Sequence, residues 1–404
     1  MPGISSQEQQ GPQDRSQSGQ ALLPLDGLTV LDFSQFLAGP SCALRLADLG
    51  ARVIKVERPD GGDLCRGLRL ADLGFDQDSA LFHAINRNKE SYTADLKDAR
   101  DLEAVKALLR TADVMIHNFR PGIMDRLGLG FEAVSALNPR LVSASVTGYG
   151  PDGPWRDKPG QDLLVQSMSG ITWLSGDADQ APVPAGLSIT DMMAGAQLCQ
   201  GILALLVRRG VSGKGGQVEV SLLETAIDLQ FEHLSVYLNR PPEMPPRSAV
   251  SNGNVYLSAP YGIYATQDDF IALAMTPLAK LAERLDCDAL NRFDQAQAFT
   301  ARDDIKAVIA THLKTGTASQ WLARLEPAGI WCTRVLDWPA LTQEVGFHAL
   351  KATQTITSPD GDNLTLTRCP IRIDGRILTS GRAAPRLGAD RAAIDAVLLQ
   401  ETRA

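Results

Sequence analysis

Apolar residues in the N-terminal half fall into short runs that alternate with stretches of helical spacing. Leu28–Phe33 and Val53–Val56 read as strands, with a helix over Ser41–Leu49 between them and Gly50 at the turn. The alternation continues with a helix over Asp101–Leu109, a strand at Val114–His117, a short helix over Phe131–Leu137 and a strand at Leu141–Val146. Strands and helices in alternation, joined by brief connections, predict an α/β fold with a parallel, Rossmann-like sheet.

From Gly148 to Ile189 the pattern stops. The segment is rich in Gly and Pro, and structureless stretches of this length inside a domain are usually functional. A helix follows over Asp191–Val207, closed by Arg208, Arg209 and Gly210. Its apolar stretch Ala196–Val207 is broken by Gln197 and Gln200 and is too short to span a bilayer, so it reads as a buried helix and no membrane partner is expected. Gln217–Leu222 alternates like a strand, Glu224–Leu238 reads as a second long helix, and the Pro-rich Arg240–Arg247 as a linker. Residues from about 250 to 335 form a smaller unit. The expected organisation is therefore a disordered tail over 1–24, a large domain over 25–222, a linker helix and small α/β domain over 223–335, and a segment over 336–404 that returns to the large domain. The tail lacks the apolar core of a signal peptide and carries one basic residue, Arg15, which favours a cytoplasmic location.

The chain has 404 residues and a net charge of -8, which argues against a nucleic-acid partner but leaves room for a local basic pocket. Six cysteines without CxxC spacing and five histidines without HxxxH or HxH pairs predict reduced thiols and no metal site. Two motifs are discounted. Gly148-Tyr149-Gly150-Pro151-Asp152-Gly153 matches GxGxxG, but Pro151, Pro154 and Pro159 prevent the helix that a dinucleotide fingerprint must open. The stretch from Gly210 to Gly216 imitates a P-loop, yet Lys214 is followed by Gly215 and leads towards a strand.

A collinear series of landmarks carries a more specific signal. It runs through Ala38-Gly39-Pro40, Val53 to Arg58, Asn88-Lys89, Asp95-Leu96-Lys97, Asn118-Phe119-Arg120-Pro121-Gly122, Gly148-Tyr149-Gly150, Asp191, Gly213-Lys214-Gly215 and Ala384 to Gly388. In these the chain resembles the family III CoA-transferases, which share their fold with the α-methylacyl-CoA racemases. The resemblance implies that Asp191 is a catalytic nucleophile, although Thr190-Asp191 at a helix start also suits an N-cap. A carboxylate at the positive helix end is expected to stay ionised. The implied reaction moves CoA from an acyl-CoA to a free carboxylic acid through an enzyme anhydride and an aspartyl-CoA thioester. CoA enters as substrate, no cofactor is permanently bound, and the implied CoA contacts are Arg58, Lys97, Asn118, Phe119 and Arg126. The loop after Tyr149 and the segment Ser251–Asn254 are candidates for keeping water out. Family members form interlinked, ring-shaped homodimers, so a homodimer is expected.

Departures from the pattern bear on substrate. Leu37 and Leu68 stand where the formyl-CoA branch has Gln and Trp, and Asn252-Gly253-Asn254 stands near its glycine run, which disfavours formyl-CoA and oxalate. Racemases of this fold use a His-Asp pair where this chain has Gln161-Asp162, and Gln161 cannot act as a base. A racemase, or a CoA-binding protein without catalysis, are the alternatives; the latter would lack the aspartate that Asp191 supplies.

Overall fold

The computed structural model describes residues 22–240 and 243–401. All but the last three residues of the expected tail, and two prolines of the expected linker, lie outside them. Among the described residues the largest sheet has six strands: β1 (Thr29–Asp32), β2 (Arg52–Glu57), β3 (Lys89–Thr93), β4 (Val114–His117), β5 (Val142–Thr147) and β6 (Gly216–Ser221). Their order is β3-β2-β1-β4-β5-β6 and every pairing is parallel. This is the doubly wound order of the Rossmann fold, as the alternating pattern predicted.

The pleat sends successive side chains to opposite faces. Val30, Val53, Val114 and Ile116 pack beneath helices α1 (Ala38–Asp48) and, later in the chain, Ile189–Ser212. Leu31, Ile54 and Met115 pack on the other face against Val105, Leu108 and Leu109 of α2 (Ala99–Thr111). The edge strand β3 has no apolar run and escaped the sequence reading. It is held by the C-terminal segment, where Asp390 accepts the Ser91 N–H at 2.8 Å and Asp395 accepts the Tyr92 hydroxyl at 2.8 Å. The returning chain thus covers an edge that would otherwise be open to pairing.

Three expected boundaries are corrected. The stretch from Gly148 to Ile189 contains a helix, α3 (Asp162–Ser169), whose eight residues were masked by the Pro and Gly on both sides. The next helix, α4, runs over Ile189–Ser212 and passes Gly210, which sits in open space; it stops at Gly213, whose φ of +72° is the left-handed conformation that ends helices. At 24 residues α4 is long and apolar enough by composition to cross a bilayer. It serves instead as the crossover between β5 and β6, buried along Thr190, Ala194, Leu198 and Ile202 and open along its other face, where Val211 is 92% exposed. The expected helix over Glu224–Leu238 is two, α5 (Leu222–Asp228) and α6 (Phe231–Leu238). At the break the Gln230 side chain turns back to the carbonyls of Ala226 and Ser169, at 2.8 and 3.1 Å.

Close helix contact fixes where α4 starts. A Cβ on Gly195 would stand 2.2 Å from Ser41 Oγ and 2.6 Å from the Ala38 carbonyl, so α4 touches the first turn of α1 backbone to backbone. The Gly213-Lys214-Gly215 turn is explained by packing too. A Cβ on Gly215 would lie 2.0 Å from the Leu141 carbonyl, and no phosphate-binding role is required.

A second core lies between Ala259 and Ile330. It joins an antiparallel sheet of β7 (Gly262–Ala265), β8 (Phe270–Leu273) and β9 (Cys332–Arg334) to helices α7 (Leu278–Leu285), α8 (Arg302–Leu313) and α9 (Ala318–Leu325).

Candidate active site

In a doubly wound sheet ligands settle at the carboxyl ends of the strands, where the strand order reverses. Here that point lies between β1 and β4. A crevice of about 190 Å³ opens there, lined by Phe33 to Gln35 after β1, Lys55 to Arg58 at the end of β2, Ala94 to Lys97 after β3, and Phe119 and Leu127 after β4. Three of the residues expected to contact CoA, Arg58, Lys97 and Phe119, therefore meet on its walls. Arg58 is exposed and donates to the Gly62 carbonyl at 3.3 Å, which leaves most of its guanidinium free for phosphate. Phe119 lies against the His117 ring, 6.3 Å between centroids and 20° between planes. Burial pulls the His117 pKa down to about 4, so a neutral ring backs the aromatic wall at pH 7.

Asn118 and Arg126 are placed differently. The Asn118 side chain accepts the Gln35 N–H at 2.9 Å and donates to the Gln35 carbonyl at 2.7 Å. Its amide bridges the loops after β1 and β4 and shapes the crevice. Arg126 is exposed at the end of the short helix Ile123–Arg126 and is absent from the crevice lining.

The floor of the crevice is a buried ionic array that the sequence reading did not assign. Lys89 contacts Asp32 at 2.9 Å, Lys55 contacts Asp63 at 2.8 Å, and Arg66 contacts Glu57 at 2.7 Å. Burial pushes the Asp32 carboxyl up, but Lys89 and Lys55 outweigh it and hold the group below the usual carboxylate range. Asp63 also accepts the N–H groups of Phe36 and Cys65, at 3.1 and 2.9 Å, tying both crevice loops to the sheet. A Lys and a Glu inside the apolar strand β2 were the available signal, because charges are buried only when paired.

Asp191 occupies the first turn of α4. As the crossover between parallel strands, α4 runs against them and starts at the same sheet edge as the crevice. Its cap is Asp162, which corrects the reading of Asp191 as the helix cap. One Asp162 oxygen accepts the N–H of Thr190 at 2.8 Å, the Thr190 hydroxyl at 2.6 Å and the Asp191 N–H at 3.0 Å. Gln166, 2% exposed, donates to the other oxygen and to the Leu187 carbonyl, and accepts the Ala185 N–H. The Asp191 carboxylate itself makes no hydrogen bond among the described residues. Burial, and then the Asp162 charge, push its pKa up to about 7. This corrects the expectation of a carboxylate kept ionised by the helix end: the N–H groups of that end are committed to Asp162. The result is a carboxylate with free lone pairs and a raised basicity, suited to attack a carbonyl.

The neighbouring Gly148–Gly160 loop is a closed excursion. Gly148 and Gly160 meet backbone to backbone, a Cβ on either falling within 2.7 Å of the other's Cα, and Tyr149 donates to the Pro159 carbonyl at 3.1 Å. No helix opens within the GxGxxG motif, as expected.

Comparison with known proteins supplies the family. Over 93% of its length the chain is 31% identical to succinate–glutarate CoA-transferase of Agrobacterium fabrum, covering 96% of that protein. It is 34% identical to acetyl-CoA:oxalate CoA-transferase of Acetobacter aceti over 78% of this chain and 81% of the other. The crystal structure of Rv3272 from M. tuberculosis superimposes with a TM-score of 0.80 at 29% identity, over 92% of this chain and 99% of that one. With residues 25–391 matching CoA-transferase family III, the chain belongs to that family and is a CoA-transferase.

Proposed function

We propose that Asp191 carries CoA between two carboxylic acids through covalent intermediates. The Asp191 carboxylate attacks the carbonyl of a bound acyl-CoA, forming a mixed anhydride as the C–S bond breaks and CoA leaves as thiolate. The thiolate attacks the aspartyl carbonyl, giving an aspartyl-CoA thioester and the donor carboxylate. The acceptor carboxylate then attacks that thioester and expels the thiolate, which attacks the acyl carbonyl of the new anhydride. Acyl-CoA product and free Asp191 result, with no net proton change. The observation that carries this reading is the unpartnered, proton-hungry Asp191 carboxylate, positioned by Asp162 at the same sheet edge as the crevice.

The acids are proposed to be short dicarboxylates, supported by relatives named for succinate, glutarate and oxalate. The oxalate-using relative keeps oxalate in the acceptor panel, against the expectation drawn from Leu37 and Leu68. The proposed form is a homodimer, supported by large apolar side chains left open on the single chain: Trp338 is 84%, Val345 83%, Val211 92% and Phe231 69% exposed. A cytoplasmic location is proposed as well, on the six cysteines without CxxC spacing.

The test is one incubation with succinyl-CoA and glutarate, then hydroxylamine. Transfer of CoA and a hydroxamate at Asp191 are expected; unimpaired turnover by Asp191→Ala would overturn the mechanism. Run in D₂O with a 2-methylacyl-CoA, the enzyme is expected to leave the α-hydrogen in place. Fast deuterium uptake without transfer would make it a racemase instead.

A further inference from the structure

Helix α8 carries two buried cations that donate to one irregular segment, Arg302 being paired as well with Asp303 at 3.4 Å. Lys306, fully buried, donates to Ser248 Oγ at 2.9 Å and to the Ser251 carbonyl at 3.0 Å. Arg302, one turn earlier and 6% exposed, donates to the carbonyls of Val255 and Pro246, at 2.9 and 3.0 Å. No carboxylate lies within salt-bridge distance of Lys306 among the described residues. Burial and the Arg302 guanidinium pull its pKa down to about 8, so it holds its proton at neutral pH. A buried lysine is costly to keep, and here Lys306 and Arg302 together clamp one irregular segment, 246–255, at four points.

The same segment grips a second loop. Arg247 donates to the carbonyls of Ser175, at 2.7 Å, and Gln180. Asn252 donates its side-chain amide to the Leu174 carbonyl at 3.1 Å and its backbone N–H to Asp177 at 2.8 Å, and the Ser248 carbonyl accepts the Ala178 N–H at 2.9 Å. The loop so held, 174–181, leads to Ala185 and Leu187, which Gln166 fixes beside Asp162, the cap of the helix that presents Asp191.

We propose that Lys306 is a positioning residue. Through segment 246–255 it holds loop 174–181 rigid, and with it the Asp162–Asp191 pair, so that water does not reach the acyl-enzyme. The proposal rests on the covalent reading above for its chemistry, but its mechanical half does not. Deuterium exchange of the backbone amides is to be measured in the native protein, in Lys306→Met and in Asn252→Ala. The last cuts the side-chain links to the Leu174 carbonyl and the Ser248 N–H while keeping Lys306 and Arg302 on α8, and it decides the matter if Lys306→Met fails to fold. Both variants are expected to exchange at least about tenfold faster across 174–181. With succinyl-CoA and glutarate, their ratio of thioester hydrolysis to transfer is expected to rise by a similar factor, kcat for transfer falling more than KM changes. Unchanged exchange in a folded variant overturns the coupling, and faster exchange with an unchanged hydrolysis ratio overturns the exclusion of water. If the native protein moved no CoA at all, the covalent reading would fall, and the exchange data would still judge the coupling.

Discussion

The Asp162 carboxylate accepts the backbone N–H of Asp191 at 3.0 Å, and the two acidic side chains stand together at one helix end. The first carboxylate takes the helix N–H groups. The second is left without them, largely buried and beside a like charge; burial first, and then that charge, raise its pKa to about 7.

Activity is therefore expected to follow Asp191 ionisation. The kcat/KM profile should rise with pH through a limb near 7, because the proposed nucleophile must be deprotonated. Asp162→Asn keeps a capping oxygen but removes the like charge, and should move that limb to lower pH. A limb in the ordinary carboxylate range that Asp162→Asn leaves unmoved would show that Asp191 is not the group being titrated.

Stability should respond in the opposite sense. The folded pKa of Asp191 lies above the ordinary value of about 3.9 expected in the unfolded chain. The fold thus binds this proton more tightly, and its contribution, complete below about pH 4, is lost as pH rises through 7. Asp191→Asn should match the native protein in thermal unfolding near pH 4 and exceed it in Tm above pH 7, while losing transfer by on the order of 10³-fold or more. Equal Tm differences at both ends of the range would contradict this account.

The crevice residues divide by what they hold. Arg58→Ala and Phe119→Ala are expected to raise the KM for acyl-CoA roughly tenfold with kcat changed much less, since they are proposed to touch the part of the substrate that does not react. Asn118→Ala should also cost about 1–2 kcal/mol of stability, because it frees both polar groups of Gln35. Arg126, off the crevice wall, is expected to matter least. Wild-type KM values in the first two variants would move the CoA site elsewhere.

Replacing Gly195 by Val places a side chain where Ser41 Oγ and the Ala38 carbonyl already stand. A loss of about 1–3 kcal/mol in chemical denaturation is expected, with kcat falling as α4 is pushed off α1. Full stability and activity would mean that the two helices can part without consequence.

The open apolar side chains on α4, α6 and the 331–345 stretch predict a particle of twice the 43.4 kDa chain mass in light scattering. Charging one of them, as in Val211→Lys or Trp338→Glu, should weaken it. A monomer at micromolar concentration would remove the dimer from the proposal.

The order of apolar runs and helical stretches was enough to determine the parallel α/β sheet, since strands buried on both faces must be continuous in sequence and their crossovers must be helical. The collinear landmarks named Asp191 and, among the expected CoA contacts, three residues that the fold brings to one crevice wall. Local pattern could not see partners distant in the chain. Strand β3 is polar because the C-terminal segment, some 300 residues on, supplies its contacts, and α5 and α6 part because Gln230 reaches across to Ser169. Nor could spacing show that Asn118 is occupied by Gln35, that Asp162 rather than Asp191 caps α4, or that Lys306 is buried against Ser248 and the Ser251 carbonyl. Each of these depends on which polar groups the fold removes from water together. A buried polar group is placed by the partner it must find, and only the tertiary structure decides which partner that is.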